Sequence, residues 1–111
     1  MGTETTTQLT ETVGGTGIVD PVITLTADMA LGSVTIIVAN ATTGDTIQWT
    51  GSIDDEDVLV FDSEKWLVTL NGTASMSTVT GEFITLQPGA NVITVTGFSG
   101  EVEITHRSRY L

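Results

Sequence analysis

The sequence predicts an all-β protein: an antiparallel two-sheet β-sandwich of jelly-roll or Greek-key type, built from about eight or nine short strands. Three observations predict it. Threonine makes up about a fifth of the 111 residues, and valine and isoleucine are frequent; β-branched side chains are stiff and fit a pleated surface. Short apolar alternations recur at close spacing, punctuated by Gly, Pro, Asn and Asp turn clusters. No segment carries a helical period longer than a turn, and only Thr26 to Leu31 hints at one.

The elements follow in order. Residues 1–19, from Met1 through Gly14-Gly15-Thr16-Gly17, have almost no apolar content and predict a flexible N-terminal arm or linker. The sandwich domain then spans 20–111. Pro21 suits the start of a strand that runs to Thr26. Ser33 to Ala39 places Val34, Ile36 and Val38 on one face. Asn40 to Gly44 is a turn cluster, and Asp45 to Thr50 sets Ile47 and Trp49 on a common face. An acidic loop, Gly51 to Asp57, precedes Val58 to Asp62. Ser63-Glu64-Lys65 turns the chain into Trp66 to Leu70.

Asn71-Gly72 is the strongest hairpin signal, because a type I′ turn needs positive φ at both central positions. The return strand is Thr73 to Ser77, polar and near an edge. Glu82 to Leu86 follows, then Gln87-Pro88-Gly89-Ala90, where proline before glycine suits a type II turn. Asn91 to Thr96 and Glu101 to His106 form a last hairpin across Phe98-Ser99-Gly100. In that final strand Val102 and Ile104 point one way and Glu101, Glu103 and Thr105 the other, so one face is buried and one is wet.

Composition removes several function classes. A net charge of -11 repels phosphate backbones and anionic membrane surfaces, which argues against nucleic-acid and membrane partners. No run approaches the roughly 18 apolar residues of a membrane span, and Met1 to Val13 does not resemble a signal peptide. The absence of cysteine excludes disulfides, thiolate nucleophiles and Cys-ligated metals. With His106 the only histidine, general-base chemistry loses its usual residue. The expectation is a protein that is not an enzyme and has no cofactor.

Asp54-Asp55-Glu56-Asp57, with Asp45, Asp62 and Glu64 near in sequence, could ligate calcium, but the spacing fits no calcium loop and reads as a solvated tip. Paired carboxylates could serve glycoside hydrolysis, but sequence does not supply their separation. Trp49 and Trp66 are the candidate glycan contacts, since an exposed indole is a flat platform for a sugar ring. By parity, however, Trp49 goes with Ile47, and Trp66 with Val68 and Leu70, which assigns both to the core. His106 shares the parity of Val102 and Ile104 and reads as a boundary histidine. Arg107, Arg109 and Tyr110 are candidate inter-subunit contacts with acidic loops. Asn40-Ala-Thr42 and Asn71-Gly-Thr73 fit the glycosylation sequon.

The second half resembles a known family. Its motifs are, in order, Asp57-Val-Leu-Val-Phe-Asp62, Trp66-Leu-Val-Thr-Leu-Asn-Gly72, Gly81-Glu-Phe-Ile-Thr-Leu-Gln-Pro-Gly89, Asn91-Val-Ile-Thr-Val-Thr96 and the ending Val102-Glu-Ile-Thr-His-Arg-Ser-Arg-Tyr-Leu111. Together they resemble the C-terminal domain of siphovirus-type tail components, the distal tail proteins and their relatives, over about residues 45 to 111. The resemblance implies a galectin-like jelly roll in the tail tip or baseplate of a tailed bacterial or archaeal virus. Distal tail proteins carry a larger ring-forming N-terminal domain where this chain has its short arm, so ring formation does not carry over.

The functional expectation is thus a structural virion protein, homo-oligomeric in the particle, with other virion proteins as partners. The alternatives are a carbohydrate-binding module for host-surface glycans and a capsid decoration protein of the same fold. The acidity with a single lysine also suits a virus of a high-salt host, where a carboxylate-rich surface stays hydrated.

Overall fold

A computed structural model of the protein describes residues 6–15 and 17–106. Ten strands are formed among the described residues: β1 (Thr6–Val13), β2 (Val22–Ala27), β3 (Gly32–Asn40), β4 (Asp45–Ile53), β5 (Val58–Asp62), β6 (Leu67–Leu70), β7 (Thr73–Ala74), β8 (Val79–Gly81), β9 (Gly89–Thr96) and β10 (Gly100–Thr105). They make two five-stranded sheets, ordered β1-β9-β3-β4-β8 and β10-β2-β5-β6-β7. Every strand pairing is antiparallel. The architecture is the all-β sandwich expected from composition and period.

The period-two alternation places the core. Ile36 and Val38 of β3, Ile47 and Trp49 of β4, and Ile93 and Val95 of β9 face inward from one sheet. Ile23 and Leu25 of β2 and Leu59 and Phe61 of β5 meet them from the other. Each such side chain contributes on the order of 1.5–3 kcal/mol of burial. Trp49 lies over Gly51: a Cβ there would sit 2.5 Å from the indole Cη2. Glycine two residues on along the same face is what gives the ring room.

Turn chemistry falls where the sequence placed it. Asn71 and Gly72 have φ of 52° and 85°, as a type I′ hairpin between β6 and β7 requires. Gly89 has φ 95° after Pro88.

Six details differ from the sequence reading. Thr6–Val13, expected within a flexible arm, is an edge strand in register with β9 from Thr6↔Thr96 to Val13↔Gly89. Ladder hydrogen bonds supply what its apolar content lacks, and of its described side chains only Val13 is fully buried. The last two strands do not form a hairpin, because β9 belongs to one sheet and β10 to the other. Phe98, 1% exposed, plugs the core at that corner. Gly97 and Gly100, with φ of 83° and 147°, pass so close to the Thr35 and Thr26 carbonyls that a Cβ would collide.

Among the described residues Glu82 to Leu86 forms no ladder and a single bridge, Val19↔Leu86, although Ile84 and Leu86 alternate inward. The polar return strand shrinks to Thr73–Ala74, and β2 runs through Ala27 into a bend, not a helical turn. Trp66 lies outside β6 with φ 56°. That left-handed residue breaks the parity linking it to Val68, so Val68 is buried while Trp66 is 73% exposed.

Candidate functional site

The end of the sandwich where β4 begins and β8 ends carries a cleft of about 430 Å³, facing the β5–β6 turn. Each wall has a local cause. Ser63 to Trp66 is a tight turn pinned by Asp62 Oδ1, which accepts the Lys65 N–H at 3.1 Å. The turn closes with Trp66 in the left-handed region, which turns its side chain outward. Phe83 stands behind the indole, with ring centroids 6.5 Å apart and planes inclined by 25°. This is an offset-stacked geometry. Phe83 has the outward parity of a segment whose Ile84 and Leu86 are buried.

Asp45 forms the polar wall. Its Oδ2 accepts hydrogen bonds from the Thr43 hydroxyl at 2.8 Å, from the Thr85 N–H at 3.0 Å and from the Thr85 hydroxyl. Burial pushes the Asp45 carboxyl up, but the bonds from the Thr85 hydroxyl, the Thr43 hydroxyl and the Thr85 amide together outweigh it. The carboxyl is held below its ordinary value. No hydrogen bond to Oδ1 forms among the described residues. Glu82 and Asp20 add further carboxylates to the lining. The Ser63 hydroxyl, in a residue 1% exposed, has no hydrogen-bond partner among the described residues. Buried hydroxyls are usually satisfied, so unspent capacity beside a cleft is informative.

The other sequence-selected residues lie elsewhere. Trp49 is 1% exposed and its Nε1 donates to Ser75 Oγ at 3.0 Å, so it is a core residue and offers no stacking face. Of the two tryptophans only Trp66 exposes its ring to solvent. Asp54, Asp55 and Glu56 form an exposed tip. Asp57 at its base accepts from Asn71 Nδ2 and the Asp54 N–H, both at 2.8 Å. The Asn71 bond, then that from Asp54, hold its carboxyl below the ordinary value against a small opposing effect of burial. Among the described residues no three acidic or histidine side chains converge as metal ligands.

His106 Nδ1 lies 2.7 Å from Glu11 Oε2, without well-directed hydrogen-bond geometry. Asn40 is fully buried, which closes its sequon to glycosylation in the folded state. Arg107, Arg109 and Tyr110 lie outside the described residues.

Sequence reasoning missed Phe83, Ser63 and Thr85 as members of one site. The signal for Phe83 was present, since its parity opposes that of Ile84 and Leu86, and it packs only partly buried at the margin of the core. Ser63 and Thr85 carried no local signal, because only the tertiary fold brings the β5–β6 turn beside the segment after β8.

No helix among the described residues is long and apolar enough to cross a membrane. The family model for the C-terminal domain of siphovirus-type tail components matches residues 14–110. No curated protein and no solved structure matches the chain.

Proposed function

The chain belongs to the siphovirus-type tail component family, which places it in the virion tail, and on that premise we propose that it is a non-enzymatic structural module of the tail tip or baseplate. In this reading it is a galectin-like jelly roll that acts by protein–protein contacts with further copies of itself and with other virion proteins. The tail family favours this position over capsid decoration.

One observation supports the contact mode. Strand β1 ends at Val13, where the family match has not yet begun, and it adds to the β9 edge as an eight-residue ladder. The strand is polar, apart from Leu9 and Val13, and is joined to the matched domain through Gly14-Gly15-Thr16-Gly17. A strand held mainly by main-chain hydrogen bonds is equally well accommodated by the same edge of a neighbouring copy, a low-cost route to oligomers. In the particle, β1 of one subunit lies on β9 of the next. Arg107 and Arg109 add charged contacts to acidic neighbours, and Tyr110 adds a ring and a phenolic hydroxyl.

The test is incorporation. Virions assembled with a chain that begins at Ile18 are labelled with antibody against residues 20–111, and folding of the shortened chain is checked separately by circular dichroism. The reading expects a folded chain missing from the tails. Wild-type labelling of the tails by that chain would remove β1 from assembly.

A further inference from the structure

We propose that the Trp66–Phe83 cleft is a binding site for a neutral pyranose glycan, with Trp66 as the stacking platform and Asp45 as the principal hydrogen-bond acceptor. The proposal does not depend on strand exchange. It rests on four features that coincide at one end of the sandwich.

The first is Trp66 itself. At 73% exposure it is the most exposed large apolar side chain among the described residues, ahead of Met29 at 51% and Ile18 at 50%. Isolated exposed apolar residues are ordinary, but this one also occupies φ 56°. A bulky residue in the left-handed region is a true outlier, and such strain concentrates at ligand clamps. Glycine or asparagine would make the same turn without it.

The second is orientation. Phe83 backs the indole at 6.5 Å and 25°, so the ring is steadied while most of its surface stays open to solvent. A steadied aromatic face loses little freedom on binding, which is what a stacking platform needs.

The third is the polar complement. Asp45 is locked by three hydrogen bonds on Oδ2, and Oδ1 is left to accept from a ligand. The Ser63 hydroxyl is unspent beneath the cleft floor, with its oxygen closed to solvent. A sugar hydroxyl donates to Asp45 Oδ1 while an apolar ring face of the same sugar lies on the Trp66 indole.

The fourth is sign and size. The polar lining offers carboxylates and hydroxyls with no basic side chain among the described residues, so uronic, sialylated or phosphorylated sugars are repelled. The volume of about 430 Å³ falls in the range of small-molecule clefts.

The experiment titrates the full chain with neutral trisaccharides of glucose, galactose, mannose and N-acetylglucosamine, with trigalacturonate and an acetyl-Arg-Ser-Arg-amide peptide alongside. Tryptophan emission is the first readout and calorimetry the second. The expected result is saturable binding of at least one neutral trisaccharide, at least tenfold tighter than trigalacturonate. Trp66→Gly, which suits the turn's backbone, should weaken that binding at least tenfold, and Glu82→Gln should leave the protein folded and the preference against trigalacturonate reduced. Three results would overturn the proposal: no saturable binding of any neutral trisaccharide, unchanged affinity in Trp66→Gly, or saturable binding of the arginine peptide alone, which would give the cleft to a basic protein segment.

Discussion

Asn40 and Asn91 meet in the interior, both 0% exposed, with Asn40 Nδ2 donating to Asn91 Oδ1 at 3.2 Å. Their amides spend the rest of their capacity on backbone. Asn40 donates to the Thr85 carbonyl and accepts the Thr42 N–H. Asn91 accepts the Gln87 N–H and donates to the Gln87, Gly89 and Glu11 carbonyls. One side-chain pair thus ties β3, β9, the ladderless segment before β9, and edge strand β1. A satisfied buried network of this kind fixes a unique arrangement, and a broken one is expensive.

Asn91→Ala is therefore expected to destabilise by about 2–4 kcal/mol, since it leaves one Asn40 amide N–H and the Gln87 N–H without their acceptor away from water. Asn91→Asp is expected to lose a comparable amount, because a carboxylate would face three backbone carbonyls. Urea unfolding at neutral pH measures both. A change under 1 kcal/mol in either would mean that the network is ornamental.

Gly51→Ala should cost about 1–3 kcal/mol through overpacking. The new methyl would lie 2.5 Å from Trp49 Cη2, and the indole is wedged in the core with its Nε1 on Ser75. A red shift of Trp49 emission should accompany the loss. An unperturbed spectrum with full stability would contradict the close approach.

Acid should erode the fold through Asp45. Its folded carboxyl lies below the ordinary 3.8, so the ionised form stabilises the native state. That contribution is complete above the unfolded value and is lost as pH falls through the lower folded value. Asp57 is shifted the same way and adds to the same window. Asp45→Asn should be less stable at pH 7 and show a shallower loss between pH 4 and pH 2. An acid limb identical to that of the unmodified chain would refute the assignment.

Trp66→Gly should unfold within about 1 kcal/mol of the unmodified protein, because relief of the left-handed strain offsets the lost ring stacking. Near-neutrality separates this residue from the core tryptophan. A loss above 2 kcal/mol would make Trp66 a structural residue.

Net charge of -11 should make stability rise with salt, as screening weakens repulsion among surface carboxylates. Thermal unfolding in 20 mM and 1 M sodium chloride tests this, and indifference to salt would count against adaptation to a saline host.

Much of this fold is legible in the sequence because its signals are local. Period-two alternation placed Ile36 and Val38, and Ile47 and Trp49, on common faces that prove to be buried, and the φ demands of Asn71-Gly72 placed the hairpin. What escaped depends on distant partners. Thr6 to Val13 has too little apolar content to signal a strand, and only the β9 edge makes it one. Glu82 to Leu86 alternates like a strand yet has no ladder neighbour. Phe98-Ser99-Gly100 resembles a hairpin loop, but buried Phe98 and close-packed Gly100 make it a corner between sheets. Trp66 escaped because a single left-handed residue resets the parity. Of the site, the aromatic and acidic members were visible singly, while their convergence was not.

The most direct test of the central claim uses the absence of cysteine. Thr10 and Val92 are register partners across β1 and β9. The Val92 backbone bonds toward Ala41 and Thr42, so Thr10 and Val92 form the closely spaced, non-hydrogen-bonded kind of pair that suits a disulfide. Thr10→Cys and Val92→Cys would be prepared as separate single variants, mixed and oxidised, with each variant alone as control. If β1 of one subunit lies on β9 of the next, the mixture yields a covalent heterodimer well above the controls. Heterodimer no more abundant than chance collision would confine β1 to its own chain and contradict assembly by strand exchange.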